Sequence, residues 1–123
     1  ETRTTQDIAQ VIDSKTARTL SAMLVSVVEY GHGKRAGVPG YYIGGKTGTA
    51  QVAKSEGIGY AQDNTIGSFA GFGPVEDPKF AMIVRIDNPK DVVWAESTAA
   101  PLFGEIAEFL LQYFEVPPVR SIE

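Results

Sequence analysis

The sequence predicts an α+β fold: a three-stranded antiparallel sheet with an N-terminal and a C-terminal helix packed on one face. Three observations carry this. Apolar residues recur at helical spacing after Asp13 and again after Pro101. Between them lie three stretches rich in Val, Ile, Thr and Phe, each of strand length. The gaps between those stretches are short, which favours antiparallel neighbours, and two amphipathic helices can bury their apolar stripes against one face of such a sheet.

The elements follow in order. Residues 1–7 are polar and expected to fray, and 8–12 read as a short strand. A helix is expected over 14–30. Asp13 or Ser14 can cap it by accepting a free backbone N–H, and Ala17, Leu20, Met23, Leu24, Val27 and Val28 make its apolar stripe. Gly31 is the expected stop, in the left-handed conformation. Four glycines and a proline over 31–40 make a loop. Strands are expected at about 43–53, 65–73 and 80–87, the last apolar enough to be central. Residues 54–64 form a polar connection, and Pro74-Val75-Glu76-Asp77-Pro78 a turn. Pro101 suits the first turn of a helix over 101–114. Leu102, Ile106, Phe109, Leu110, Tyr113 and Phe114 form its expected buried stripe, and Pro117-Pro118 ends it.

Composition narrows the function classes. A chain of 123 residues suits one domain or part of one. Net charge is −4 with no long run of one sign, which weighs against nucleic acid as a partner. There is no cysteine, which excludes disulfides, thiolate chemistry and Cys-based zinc sites. His32 is the single histidine, so no His-based metal cluster and no Ser-His-Asp set forms within the chain. It reads as a loop residue. The carboxylates are scattered without ligand spacing, so no metal and no cofactor is expected. No apolar run approaches the roughly 18–20 residues of a membrane span. Any membrane anchor therefore lies outside these residues.

One segment carries chemistry. Gly40-Tyr41-Tyr42-Ile43-Gly44-Gly45-Lys46-Thr47 fits the phosphate-loop pattern G-x-x-x-x-G-K-[ST]. That chemistry needs a buried strand before the first glycine and a helix starting at the lysine. Here Gly37-Val38-Pro39 precedes and the strand-like Gly48-Thr49-Ala50-Gln51-Val52 follows, so nucleotide binding through 40–47 is a remote alternative. Read as a strand, Lys46 points to one face and Thr47 and Thr49 to the other. A cation, two hydroxyls and backbone bared by Gly45 and Gly48 then share a small area. Such an edge suits an extended, amide-containing ligand that carries a carboxylate, and a backbone N–H there can join an oxyanion hole. Trp94, Tyr41 and Tyr42 read as partly buried packing residues, with the lining of a ligand groove as the alternative.

Lys46-Thr47-Gly48 resembles the third signature of the serine penicillin-recognising enzymes. Its flanks sharpen the resemblance. Gly44-Gly45-Lys46-Thr47-Gly48-Thr49-Ala50-Gln51 is similar to the extended motif of class B high-molecular-weight penicillin-binding proteins. Val28–Ala36, Phe69-Ala70-Gly71-Phe72-Gly73-Pro74, Ile86-Asp87-Asn88-Pro89 and Ala99-Ala100-Pro101-Leu102-Phe103 resemble its surroundings in order and spacing, over about residues 13–118. The resemblance implies part of a penicillin-binding transpeptidase (β-lactamase-like) fold, with residues 1–123 as the C-terminal part of one domain.

It also implies a function: cross-linking of peptidoglycan stem peptides ending in D-Ala-D-Ala, by a serine that β-lactams acylate, at the extracytoplasmic face of the bacterial inner membrane. By the same resemblance, Lys46 and Thr49 are the catalytic groups. Lys46 supplies positive charge for proton transfer, and the Thr49 N–H is an oxyanion donor. Thr47, Gly48 and Thr49 bind substrate, with the two hydroxyls on its carboxylate, and Gln51 lines the acceptor side.

The sequence departs from the family in one decisive respect. None of Ser14, Ser21, Ser26, Ser55, Ser68, Ser97 and Ser121 begins Ser-x-x-Lys or Ser-x-Asn. Both motifs, and two earlier strands of the family sheet, are expected in a partner segment, the N-terminal part of the domain. The chain alone is therefore expected to be inactive. The alternative is a non-catalytic module that senses wall peptides or β-lactams. A smaller departure is Trp94-Ala95-Glu96-Ser97-Thr98, where the family often has glycines.

Overall fold

The structure, a computed structural model, describes residues 6–53, 57–90, 92 and 94–121. Helix α1 spans Ser14–Tyr30, strands β1, β2 and β3 span Gly44–Ala53, Tyr60–Gly73 and Phe80–Asp87, and helix α2 spans Ala99–Tyr113. Short 3-10 turns lie at Lys34–Ala36 and Ala95–Ser97. The sheet is antiparallel in the order β1-β2-β3, so β2 is central, not β3. One side of β3 then has no partner among the described residues, and its residues alternate between covered and open faces as a strand with one face in solvent does. β2 starts at Tyr60 rather than near Thr65. The hairpin ladder continues past an irregularity at Gln51/Ala53, where Ala53 pairs with Tyr60, so local polarity was a poor guide to its end. Of the rest of the expected connection, 54–56 lie outside the described residues, as do residues 1–5. Residues 8–12 are not a strand: they are exposed, and no strand among the described residues pairs with them.

The register decides which side chains meet the helices. On one face Gly45, Thr47 and Thr49 oppose Gly71, Phe69 and Gly67 of β2, which in turn oppose Met82, Val84 and Ile86 of β3. Phe69 and Val84 are buried there, and Phe103 of α2 packs on Phe69 with its ring tilted and centroids 4.7 Å apart. Glycines let backbones close up. A Cβ on Gly45 would come within 2.5 Å of the Phe69 ring, and one on Gly104 within 2.8 Å of the Arg35 carbonyl.

The buried stripe of α2 is not the expected one. Ala99, Ala100, Phe103, Gly104, Ala107 and Leu111 face the core, with Ile106 and Leu110 half-buried, while Leu102, Phe109, Tyr113 and Phe114 are exposed. The small residues allow the helix axis to approach the sheet and the Lys34–Ala36 turn, which bulky side chains would prevent. In α1 only Val28 is fully buried, and Leu20 and Met23 of its expected stripe are exposed. Asp13 is its cap, accepting from the Thr16 N–H at 2.8 Å and the Thr16 hydroxyl at 3.0 Å. Gly31 ends the helix at φ −107°, in extended rather than left-handed backbone. Glycine is needed there because a Cβ would lie 2.9 Å from the Val27 carbonyl.

The chain's end folds back on this frame. Val119 N–H donates to the Gly40 carbonyl at 2.9 Å, and the Tyr41 hydroxyl to the Val116 carbonyl at 2.6 Å. Arg120 forks onto Glu29 through two hydrogen bonds of 2.9 Å, donates to the Tyr41 carbonyl at 3.1 Å, and lies 4.5 Å over the Tyr42 ring.

Candidate functional site

β1 is an edge strand of the sheet, and residues 46–49 sit in its middle. Carbonyls alternate along a strand between its two edges. The Gly48 carbonyl turns toward β2, where the Ser68 hydroxyl donates to it at 3.2 Å. The Thr47 carbonyl turns the other way and accepts from Lys46 Nζ at 2.8 Å. By the same alternation the main-chain groups of Thr49 face the open edge with those of Thr47.

The side chains follow the strand period, with one addition. Thr47 and Thr49 share the covered face and Lys46 starts from the other, but its flexible stem carries Nζ round the edge to donate to Thr47 Oγ1 at 3.1 Å. Thr49 Oγ1 accepts from the Ala95 N–H at 3.3 Å. A hydroxyl has one hydrogen to give and lone pairs to receive. Both threonine oxygens already receive, from groups that can only donate, so both hydroxyl hydrogens are available to a third party. The strand thus presents two hydroxyl donors beside an ammonium, an arrangement that suits an anionic oxygen ligand.

Thr47 and Thr49 line a pocket of about 340 Å³ together with His32, Trp94, Ala95 and Glu96. Of these, His32, Ala95 and Glu96 were not expected in a site, and Trp94 takes the groove-lining role that was its alternative. Trp94 is largely exposed rather than packed, His32 comes from the loop after α1, and Glu96 from the 3-10 turn before α2. His32 Nδ1 and Glu96 Oε2 are 2.5 Å apart. The one sequence signal was the departure from family glycines at 94–98. Gly48 lies on the opposite face from the threonines, where a Cβ would meet the Ser68 hydroxyl at 2.8 Å. Gln51 pairs with Thr65 further along β1 and is exposed, beyond the pocket lining. Tyr41 and Tyr42 serve the Arg120 contacts instead of this pocket.

The phosphate-loop alternative is overturned. Lys46 and Thr47 lie inside a strand that continues to Ala53, and no helix starts there to offer free N–H groups to a phosphate. Among the described residues no group of His, Asp and Glu is arranged to hold a metal ion, and no helix is long and apolar enough to cross a membrane.

The profile of the penicillin binding protein transpeptidase domain matches residues 1–108. The chain is 42% identical over 113 residues to the stage V sporulation protein D of Bacillus subtilis, covering 91% of this chain and 17% of that protein. It is 42% identical over 117 residues to the penicillin-binding protein PbpB of Mycolicibacterium smegmatis, covering 88% and 18%. The chain thus spans less than a fifth of the length of these two relatives. Among solved structures, it is similar to the transpeptidase domain of Burkholderia pseudomallei penicillin-binding protein 3, with a TM-score of 0.77 and 36% identity over 87% of this chain and 32% of that one. It is also similar to penicillin-binding protein 3 of Mycobacterium tuberculosis in complex with ampicillin, with a TM-score of 0.79 and 35% identity over 90% and 26%.

Proposed function

Because the chain belongs to the family of penicillin-binding protein transpeptidase domains, we propose that β1 is the substrate-binding wall of a serine D,D-transpeptidase that cross-links peptidoglycan. The observation that carries this reading is the pair of threonine hydroxyls, each already accepting a hydrogen bond and so free to donate, beside the Lys46 ammonium on an open strand edge.

The family resemblance implies the roles, and the geometry of β1 supports those of Lys46, Thr47 and Thr49. A stem peptide lies along β1, and the Thr47 and Thr49 hydroxyls donate to its terminal carboxylate. A serine of Ser-x-x-Lys, in a segment beyond residues 1–123, attacks the penultimate D-alanine carbonyl. The serine ester forms, the bond to the terminal D-alanine breaks, and that residue leaves with a proton on its amine. An amine of a neighbouring stem peptide then attacks the ester, forms the cross-link and returns the serine hydroxyl. Lys46 supplies positive charge beside the transferring proton. The outward Thr49 N–H is one donor to the oxyanion. Gly48 lets β1 lie close against Ser68 of β2 between the two substrate-binding threonines, and Gln51 lines the acceptor side. β-Lactams, whose ring carbonyl and carboxylate imitate the same substrate, acylate the same serine. The reaction takes place at the extracytoplasmic face of the bacterial inner membrane.

The test is covalent labelling by a fluorescent penicillin. The isolated chain stays unlabelled, while a polypeptide that joins it to its Ser-x-x-Lys segment is labelled and loses at least about 100-fold in rate with Lys46→Ala. Labelling of the isolated chain would sink the reading. Reversible binding without an ester in the joined polypeptide would replace it with the sensor module.

A further inference from the structure

The pocket beside Thr47 and Thr49 contains a feature that contradicts its chemistry unless something offsets it. Glu96 is one of its lining residues. A free carboxylate there repels a carboxylate ligand and competes with it for the two threonine hydrogens. The side chain of Glu96 is only partly exposed, at 42%, and it reaches His32 Nδ1 at 2.5 Å. An ionised carboxylate can only accept, so Nδ1 carries the hydrogen and donates. His32 sits 64 residues away in sequence and makes this side-chain hydrogen bond across the pocket. Lys34 and Arg35, the cations nearest it in the chain, border an adjoining hollow with His32 and Glu96 and are not bonded to Glu96.

The turn that carries Glu96 is held by other means. Ser97 N–H and the Thr98 hydroxyl donate to the Trp94 carbonyl at 3.0 and 3.1 Å, and Ala95 is buried against Gly67. The His32–Glu96 contact is therefore not needed to shape the backbone. What it determines is where the Glu96 charge points.

We propose that His32 is a positioning residue that holds the Glu96 carboxylate away from Thr47 and Thr49, so that the pocket accepts an anionic ligand instead of being occupied by its own side chain. This rests on the reading of Thr47 and Thr49 as carboxylate binders. Loss of His32 frees Glu96 to take the threonine hydrogens, and loss of Glu96 as well removes the competitor.

The experiment uses the polypeptide that joins this chain to its Ser-x-x-Lys segment, and measures acylation rate constants for benzylpenicillin and for its uncharged methyl ester by competition with a fluorescent penicillin. His32→Ala slows benzylpenicillin about five-fold, the scale of a solvent-exposed charge interaction, and leaves the ester unchanged. His32→Asn, whose amide can replace Nδ1–H, recovers most of the rate. Glu96→Ala is about two-fold faster than the parent, and His32→Ala/Glu96→Ala returns to the parent rate or above. A structural role for the pair predicts instead that Glu96→Ala is as slow as His32→Ala and that the double variant is not rescued; that result overturns the proposal, as does an unchanged His32→Ala. Thr49→Val separates the two levels. If it leaves benzylpenicillin acylation intact, the carboxylate-binding reading itself fails. If it slows acylation while His32→Ala does not, only the role of His32 fails.

Discussion

Replacing Arg120 by Met removes the clamp that ties the end of the chain to α1. The guanidinium makes two 2.9 Å hydrogen bonds to Glu29 and a third of 3.1 Å to the Tyr41 carbonyl, and it covers the Tyr42 ring at 4.5 Å. The side chains are 33% and 20% exposed, so solvent screens the pair only in part. A bidentate charge-assisted contact of this kind contributes about 2 kcal/mol, less than a fully buried pair and more than a surface one. For a chain of 123 residues, with an unfolding entropy of about 0.26 kcal/mol/K, the variant melts about 8 °C lower. Arg120→Lys recovers part of the loss, because an ammonium replaces the charge and not the fork.

The pair also has a pH signature. The Arg120 hydrogen bonds hold the Glu29 carboxyl below the ordinary glutamate range, aided by the Arg120 charge and opposed by burial. Its folded value is thus lower than its unfolded one. The stabilisation is complete above the unfolded value and is lost as pH falls through the folded one. Calorimetry of the chain and of Arg120→Met from pH 7 down to about pH 3 therefore gives melting curves that converge at the acid end. A constant gap across that range, or no gap at pH 7, refutes the argument. Glu29→Gln combined with Arg120→Met costs less than the two single losses added, since both remove the same contact.

Three further outcomes are expected. Gly45→Ala gains strand propensity and still destabilises by about 2 kcal/mol, because the new Cβ would sit 2.5 Å from the Phe69 ring and 2.9 Å from the Ala70 carbonyl, seen as a lower urea midpoint with an unchanged slope. Phe103→Ala costs about 4 kcal/mol in the same assay, since that ring is fully buried and packs on both Phe69 and Phe80. Asp13→Ala frays the first turn of α1, read as faster amide exchange at Thr16; the Thr16 N–H and hydroxyl hold the Asp13 carboxyl below its ordinary range, so the parent chain loses the cap only as pH falls through that lowered value.

Much of the architecture was legible because it is local. Asp13, the 17–28 spacing, the paired prolines around residue 76 and the glycines flanking Lys46 each act within a few residues, and they mark the helices, the turn and the strand. The strand reading of 44–53 also sufficed to set the two threonines on one face and to reject a phosphate loop. Where the reading failed, the sequence offered two equivalent answers. α2 is apolar on nearly every side, so periodicity could not choose between the Leu102/Phe109/Tyr113 stripe and the Phe103/Ala107/Leu111 stripe. The choice falls to close packing, which favours Ala and Gly where the helix nears the Lys34–Ala36 turn and Phe103 where it meets Phe69.

The sequence by itself determined the Lys46-Thr47-Gly48-Thr49 strand and the family to which it belongs, because backbone alternation and a short motif need no distant partner. Only the tertiary structure decided what that strand can do with its hydroxyls. Ala95 reaches Thr49 across 46 residues, and His32 reaches Glu96 across 64. A hydroxyl becomes a committed donor only when another group fills its acceptor side, and a carboxylate is held in one direction only by a group that faces it. At Thr49 and Glu96 both conditions are distances in space, set by the packing of the Ala95–Ser97 turn on β2, and no local pattern in the chain encodes them.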